Sequence, residues 1–338
     1  STLRVNAVAD LTRAANEAEI KAMQALLEEG MQAGALGFSS GLFYQPSKAA
    51  NNQEVIALAK ISAQYGGVYT SHIRDEYSGV IEALEEACDA GLAAQLPVIL
   101  SHHKCAGPAN WGRTNETLSY ISERKNRQAI GLDAYPYTAG STVLDPDYVD
   151  GVIRIMISFS TPHPEMQGRD LSSIAEEWQL DQKEAARRLH PAGAVYFQMR
   201  EDDVQRVLSY PHTMIGSDGL PHDSHPHPRL WGAFPRVLGH YCREQKLFTL
   251  AEAIRRMTTL SADYFGLKQR GRIAPQCYAD LVIFDPATIS DQATFSHPKQ
   301  AALGIKYVFV NGAIALDNGL PNGVRKGNVL HRHQERFP

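Results

Sequence analysis

The stretch "VYTSHIRDE", Val68 to Glu76, passes from apolar, β-branched residues straight into a histidine and then into charge. The same shape recurs as "PVILSHHK" around His102, and again as "HTMIGSDGLPHD", whose polar end is Asp218. A short apolar run bounded by polar residues reads as a buried strand. Helix patterns separate the runs. "EAEIKAMQALLEEGMQAG" puts Ile20, Met23, Leu26 and Leu27 near helical spacing and fades at Gly30 and Gly34. "NQEVIALAKISAQYGG" closes at Gly66 and Gly67, "GVIEALEEACDAG" at Gly91, and "NETLSYISERKNRQ" leads into the strand "AIGLDAYPY"; "ALGFSS" is a further strand. Strands alternating with helices imply right-handed crossovers and a parallel sheet. In such sheets chemistry sits at the carboxyl ends of the strands, where His72, His102 and Asp218 fall.

With 338 residues, the chain is long enough for one large α/β barrel or two domains. Hydrophobic residues make up 43% and charged ones 21%, an ordinary globular balance. A net charge of -4 gives no reason to expect nucleic acid or an anionic membrane as partner. Cys88, Cys105, Cys242 and Cys277 show no CxxC pairing and read as reduced thiols of a cytoplasmic protein. No run approaches a membrane span and no signal peptide opens the chain. It begins on Ser1 rather than a methionine, which reads as a processed start or a piece.

After Tyr137 the rhythm breaks until Met214, too long a gap for one crossover helix. A lid-like insertion is expected near 140–200, carrying "SFSTPHPE" and one helical piece, "DLSSIAEEWQLDQKEAARRL". Helices follow near "LWGAFPRVLGHYCREQ" and "TLAEAIRRMTTLSADYFG". Residues 1–270 form the main α/β unit. From Gly271, alternation at Leu281 and Ile283 and at Val308 and Val310, with Asn311-Gly312 as a turn, predicts a small β module over 271–338. Its end, "NGVRKGNVLHRHQERFP", is expected to wrap the surface.

Histidine and aspartate are zinc ligands, and a catalytic zinc site keeps an open position for water. His72, His102 and Asp218 would converge on one sheet mouth, with the carboxylate beside the water as proton acceptor and donor. The motifs "TSHIRDE", "LSHHK", "GLDAYPYTAGST" and "GSDGLPHDSHPHPRLWGAFPRVL" resemble the N-acyl-D-amino acid deacylases (D-aminoacylases) of the amidohydrolase superfamily, over essentially the whole chain. The tail "ADLVIFDP…VFVNG" is similar to that superfamily's small β domain.

The resemblance implies a (β/α)8 TIM-like barrel with a β module assembled from both termini. It also implies zinc-dependent hydrolysis of a small-molecule N-acyl-D-amino acid to a carboxylate and free D-amino acid. By match, His72 and His102 would hold one tight zinc, and Asp218 would be general base and acid, able to touch a weaker second metal. Lys104, Tyr135, Ser141 and Arg229 would face substrate, with Tyr44 of "GLFYQP" a further donor. Another amidohydrolase specificity, for N-acyl-D-glutamate or aspartate or for cyclic amides, is the alternative. The segment Arg154 to Glu165 would decide it by supplying a cation or not.

The resemblance also implies a His-x-His strand and a Cys ligand earlier than anything present here: no cysteine precedes Cys88. The expectation is a chain covering the C-terminal two-thirds, five strands unable to close a barrel, and a complementary segment or chain as partner. An inactive fragment that needs this partner is the reading from a different class. His222, His225 and His227 read as loop-ordering residues, Cys105 as a buried thiol and "EALEEACD" as a solvated helix face. His103 should point away from the mouth, and Arg74, Asp75 and Glu76 should form a salt-bridge network that orients the ligand.

Overall fold

The structure, a computed structural model, describes residues 1–332. Five strands, β1 (Gly37–Gly41), β2 (Val68–His72), β3 (Val98–Leu100), β4 (Ile130–Ala134) and, after an excursion, β8 (Thr213–Ile215), pair in parallel in the order β1-β2-β3-β4-β8. Gly41 stands level with His72, and Ser71 level with Leu100, so the polar ends of neighbouring strands meet on one rim. One face of the sheet packs on the crossover helices through Leu84, Ala87, Val98, Leu100 and Leu132. On the other face Val68, Ile99 and Met214 close over Leu260 of the helix Thr259–Phe265, giving the rim a floor.

The crossover helices start as their sequences dictate. Asn51 caps Asn52–Gln64 by accepting from the Glu54 N–H, and Asn16 and Glu19 form a reciprocal capping box on Glu17–Gln32. Gly91 does not end its helix. Val80–Ala94 runs through it and stops at Gln95, which is left-handed at φ 55°. Gly91 is needed for close packing instead: a Cβ there would lie 2.1 Å from Val98 Cγ2. The single helix expected over residues 249–266 is two, Leu250–Met257 and Thr259–Phe265, broken at Thr258. Near Trp231 the helix Arg229–Arg236 tolerates Pro235 and continues as a wider π-type turn, Val237–Glu244.

Between β4 and β8 the chain builds a three-stranded antiparallel sheet, β5 (Gly140–Val143), β6 (Ile155–Ser160) and β7 (Ala192–Tyr196), in the order β5-β7-β6. The helical piece expected here is again two helices, Leu171–Trp178 and Gln182–Leu189, with Gln179 left-handed between them. Leu144, Ile157, Leu171, Ile174 and Leu189 give this unit a core of its own.

The C-terminal strands β9 (Leu281–Phe284), β10 (Ile305–Val310), β11 (Ala313–Asp317) and β12 (Leu320–Pro321) form a four-stranded antiparallel sheet. Asn311 and Gly312 both take positive φ, 48° and 80°, as a tight hairpin turn requires. The tail returns to the first half of the chain, where Arg332 N–H donates to the Gly34 carbonyl at 2.9 Å. Residues 333–338 of the expected surface wrap lie outside the described residues.

Candidate metal centre

His72 is the last residue of β2, but β3 and β8 stop earlier than expected, at Leu100 and Ile215. His102 and Asp218 therefore stand on the loops just beyond their strands rather than closing them. The cause is backbone shape: both residues are left-handed, at φ 40° and 49°, which ends extended pairing. Asp133 of β4 holds the first of these turns, its carboxylate accepting the His102 N–H and its carbonyl the His103 N–H, each at 2.8 Å. Asp218 stabilises its own turn by accepting the Gly219 N–H at 2.7 Å.

The strand end and the loop bring two imidazoles together edge-on, their planes 69° apart, with His72 Nδ1 2.9 Å from His102 Nε2. Burial pushes the His72 imidazole down to about 4, so it is neutral and able to offer a lone pair at neutral pH. Its Nε2 is buried without a hydrogen-bond partner. Glu76 stands behind His102, its Oε1 3.1 Å from Nδ1 of that ring and 2.5 Å from Lys104 Nζ. Burial opposes the charge on Glu76, but Lys104 and the two histidines outweigh it and hold the carboxyl well below its usual range. Lys104 is likewise held cationic, burial being overcome by Glu76.

On the same cavity, Asp218 Oδ2 lies 2.9 Å from Arg229 Nη2. Burial would raise the Asp218 carboxyl, yet Arg229 and His102 keep it below its usual value. The Arg229 guanidinium stacks over the Tyr135 ring at 4.5 Å and donates to the Ser141 carbonyl at 3.2 Å. Tyr44 receives a hydrogen bond from Thr142 Oγ1 at 3.1 Å, and burial raises its phenol.

All eight residues singled out from sequence, Tyr44, His72, His102, Lys104, Tyr135, Ser141, Asp218 and Arg229, line one cavity of about 590 Å³. Three of them carry buried polar atoms with no partner: His72 Nε2, Ser141 Oγ and Arg229 Nε. Such atoms are costly to leave unpaired and mark where a ligand belongs.

The sequence reading missed the position of Glu76. The expected network dissolves into separate roles: Arg74 pairs with Glu86 at 2.8 Å, Asp75 accepts the Tyr77 N–H, and only Glu76 turns inward. The compact trio of metal-competent side chains among the described residues is His72, Glu76 and His102. Asp218 is not in that trio; its carboxylate lies against Arg229. The i, i+4 spacing of His72 and Glu76 was the available signal.

Three further histidines are held by structural contacts. His103 turns away to Thr117 Oγ1 at 2.8 Å and is pushed down to about 4 by burial. His225 meets the Phe295 carbonyl at 2.6 Å, and His227 the Ala139 carbonyl at 2.9 Å, so the "PHDSHPHP" loop holds no cluster. Glu82 and Glu85 are exposed as expected, but Glu86 and Asp89 pair with Arg74 and Arg124. All four cysteines are free and Cys105 is buried. No helix among the described residues is long and apolar enough to cross a membrane. Two imidazole nitrogens 2.9 Å apart, on one cavity with the Asp218 carboxylate, fit a divalent cation of the zinc type.

Comparison with known proteins agrees. A D-aminoacylase of Alcaligenes xylosoxydans xylosoxydans is 49% identical over 332 residues, covering 98% of this chain and 69% of that protein. A D-aminoacylase structure bearing on its binuclear metal center, with one-metal activation and second-metal attenuation, superimposes with a TM-score of 0.93 at 49% identity, covering 96% of this chain and 68% of that one. An N-acyl-D-glutamate deacylase from Bordetella bronchiseptica, complexed with zinc and a phosphonate inhibitor, gives a TM-score of 0.91 at 46% identity, covering 94% and 68%. The sequence pattern described as the amidohydrolase family matches residues 1–316. The chain belongs to the amidohydrolase family.

Proposed function

We propose that this chain is a zinc-dependent hydrolase of N-acyl-D-amino acids, releasing a carboxylate and the free D-amino acid. The observation that carries the reading is the pair of imidazoles whose nitrogens lie 2.9 Å apart, on the same cavity as the Asp218 carboxylate. His72 and His102 are the residues that would hold a tight zinc, and Asp218 would be the one to touch a weaker second metal. Zinc in such a centre supplies Lewis acidity and lowers the pKa of water.

The chain's own groups do the rest. Asp218, ionised and solvent-facing, takes the proton of the attacking water and returns it to the departing amine nitrogen. Arg229 Nε and Ser141 Oγ, both unpaired, form a cradle for the substrate carboxylate, and Tyr135 fixes the guanidinium plane by stacking. Lys104 adds positive potential behind the cradle, and Tyr44 offers a hydroxyl from the β1 loop.

An apolar substrate side chain is the reading favoured by Phe43, Tyr77, Leu144, Tyr148 and Tyr196, which line the cavity with Lys48, Asp145 and His190. Lys104 and Arg229 are already paired to carboxylates. Arg154, the expected source of a cation for an acidic side chain, instead pairs with Asp170 at 2.9 Å and stacks on Phe197 at 4.4 Å. Residues 149–189 do not line the cavity. The free thiols support a reducing, cytoplasmic setting. The outer edges of β1 and β8 have no strand partner among the described residues, which supports a complementary strand-bearing segment that completes the sheet.

The test is release of free amino acid from N-acetyl-D-methionine, N-acetyl-D-glutamate and N-acetyl-L-methionine, with zinc, with and without that segment. The first substrate should turn over fastest. Equal rates on the D and L forms, or preference for the glutamate, would overturn the assignment.

A further inference from the structure

His102 Nδ1 has two close neighbours that require opposite things of it. Lys104 Nζ, an ammonium at 2.8 Å, needs a lone pair there; Glu76 Oε1, at 3.1 Å, needs a proton. The choice determines the far side of the ring. If Lys104 donates to Nδ1, the ring proton sits on Nε2 and points at His72, blocking that nitrogen as a ligand. If Nδ1 carries the proton, only Glu76 can accept it, and the Nε2 lone pair faces His72 across 2.9 Å.

Glu76 is poorly placed to be a ligand itself. It meets the nitrogen of His102 remote from His72 Nδ1, and its Oε1 is 3.9 Å from His72 Nε2. The Lys104 ammonium lies beside both, 2.5 Å from Glu76 Oε1 and 2.8 Å from His102 Nδ1, a cation that a divalent ion would not join.

We propose that Glu76 is the positioning residue of this centre: by accepting the Nδ1 proton of His102 it selects the tautomer able to bind metal, and by pairing with Lys104 at 2.5 Å it gives the ammonium, 2.8 Å from the same nitrogen, a competing acceptor. This rests on the reading of His102 as a metal ligand. Carboxylates set behind metal-binding histidines act in this way and contribute strongly to affinity.

The experiment measures zinc and cobalt(II) affinity of the full chain by chelator competition, together with the visible spectrum of the cobalt-saturated form. Glu76→Gln should weaken binding roughly 10–100-fold. Because that change strands the Lys104 charge and an amide oxygen could still accept the Nδ1 proton, the double variant Glu76→Leu with Lys104→Met, which leaves Nδ1 neither acceptor nor competing donor, serves as the fold-safe companion. It should recover thermal stability while leaving metal affinity low, a split that a merely structural role would not produce. At saturation the cobalt spectrum should match wild type, since the ligands are unchanged. Wild-type affinity in both variants, or an altered saturated spectrum that makes Glu76 a ligand, would overturn the inference. A wild-type chain that binds no metal would overturn the underlying reading along with it.

Discussion

Two carboxylate–cation pairs line the same cavity, and they differ in how much water they see. In Glu76–Lys104 both side chains are 8% exposed, whereas in Asp218–Arg229 the arginine is 2% exposed and the aspartate 38%. The closed pair is a fixed support: its charges cannot be solvated, so each depends on the other. The open pair holds its cation rigidly but leaves its carboxylate free to meet water and substrate. On the proposed mechanism, support and chemistry are thus divided between two similar ion pairs that differ in burial.

That contrast breaks if the open carboxylate proves dispensable. Asp218→Asn should lower kcat/KM for N-acetyl-D-methionine by about 10²–10⁴-fold, as loss of a general base does, while the melting temperature stays near wild type. Activity retained at full rate would remove Asp218 from the mechanism.

The closed pair should show the reverse balance. Lys104→Met leaves Glu76 buried and uncompensated, and denaturant unfolding should report a loss of about 3–5 kcal/mol. A loss below about 1 kcal/mol would mean the pair is solvated like a surface bridge.

Arg229→Lys sharpens the comparison from the cation side. The ammonium keeps the charge but loses the planar fork and the stack on Tyr135. KM should rise about 10–100-fold with a smaller change in kcat, the cost of a lost charge-assisted hydrogen bond or two. An unchanged KM would place the substrate carboxylate elsewhere.

The smallest effect concerns His227, which packs beneath Arg229. Its Nε2 donates to the Ala139 carbonyl and its Nδ1 accepts the Arg229 N–H at 3.0 Å. Burial holds this imidazole neutral, well below its ordinary pKa of 6.5. The unfolded chain therefore binds the proton first. Its contribution is complete above pH ~6.5 and is lost as pH falls below that, at up to about 1.4 kcal/mol per pH unit. His227→Gln should flatten that part of the stability profile. An unaltered slope would show that His227 titrates normally.

Much of this arrangement was legible in the sequence, and the failures have physical causes. The parallel strands were visible because they are buried on both faces and read as continuous apolar runs such as Val98 to Leu100. The β5-β7-β6 sheet was missed because "GSTV" and "AGAVY" are small, weakly patterned residues that become strands only by pairing with each other. The helix breaks at Gln179 and Thr258 depend on single backbone angles that composition does not announce. His72, His102 and Asp218 stood out because apolar runs lead into ligand-type side chains, whereas Lys104, Tyr135, Ser141 and Arg229 came from the family resemblance; the fold gathers them on one cavity. Glu76 was read together with Arg74 and Asp75 as one ligand-orienting network because three consecutive charges look alike in one dimension, and only the fold sends one inward.

The central claim is that His72 and His102 share one divalent ion. Elemental analysis of the dialysed chain, compared with His72→Ala and His102→Ala, tests it most directly. Wild type should retain about one zinc per chain while each variant loses most of it, as removing a ligand from a zinc site requires. Equal zinc content in all three proteins would contradict the claim.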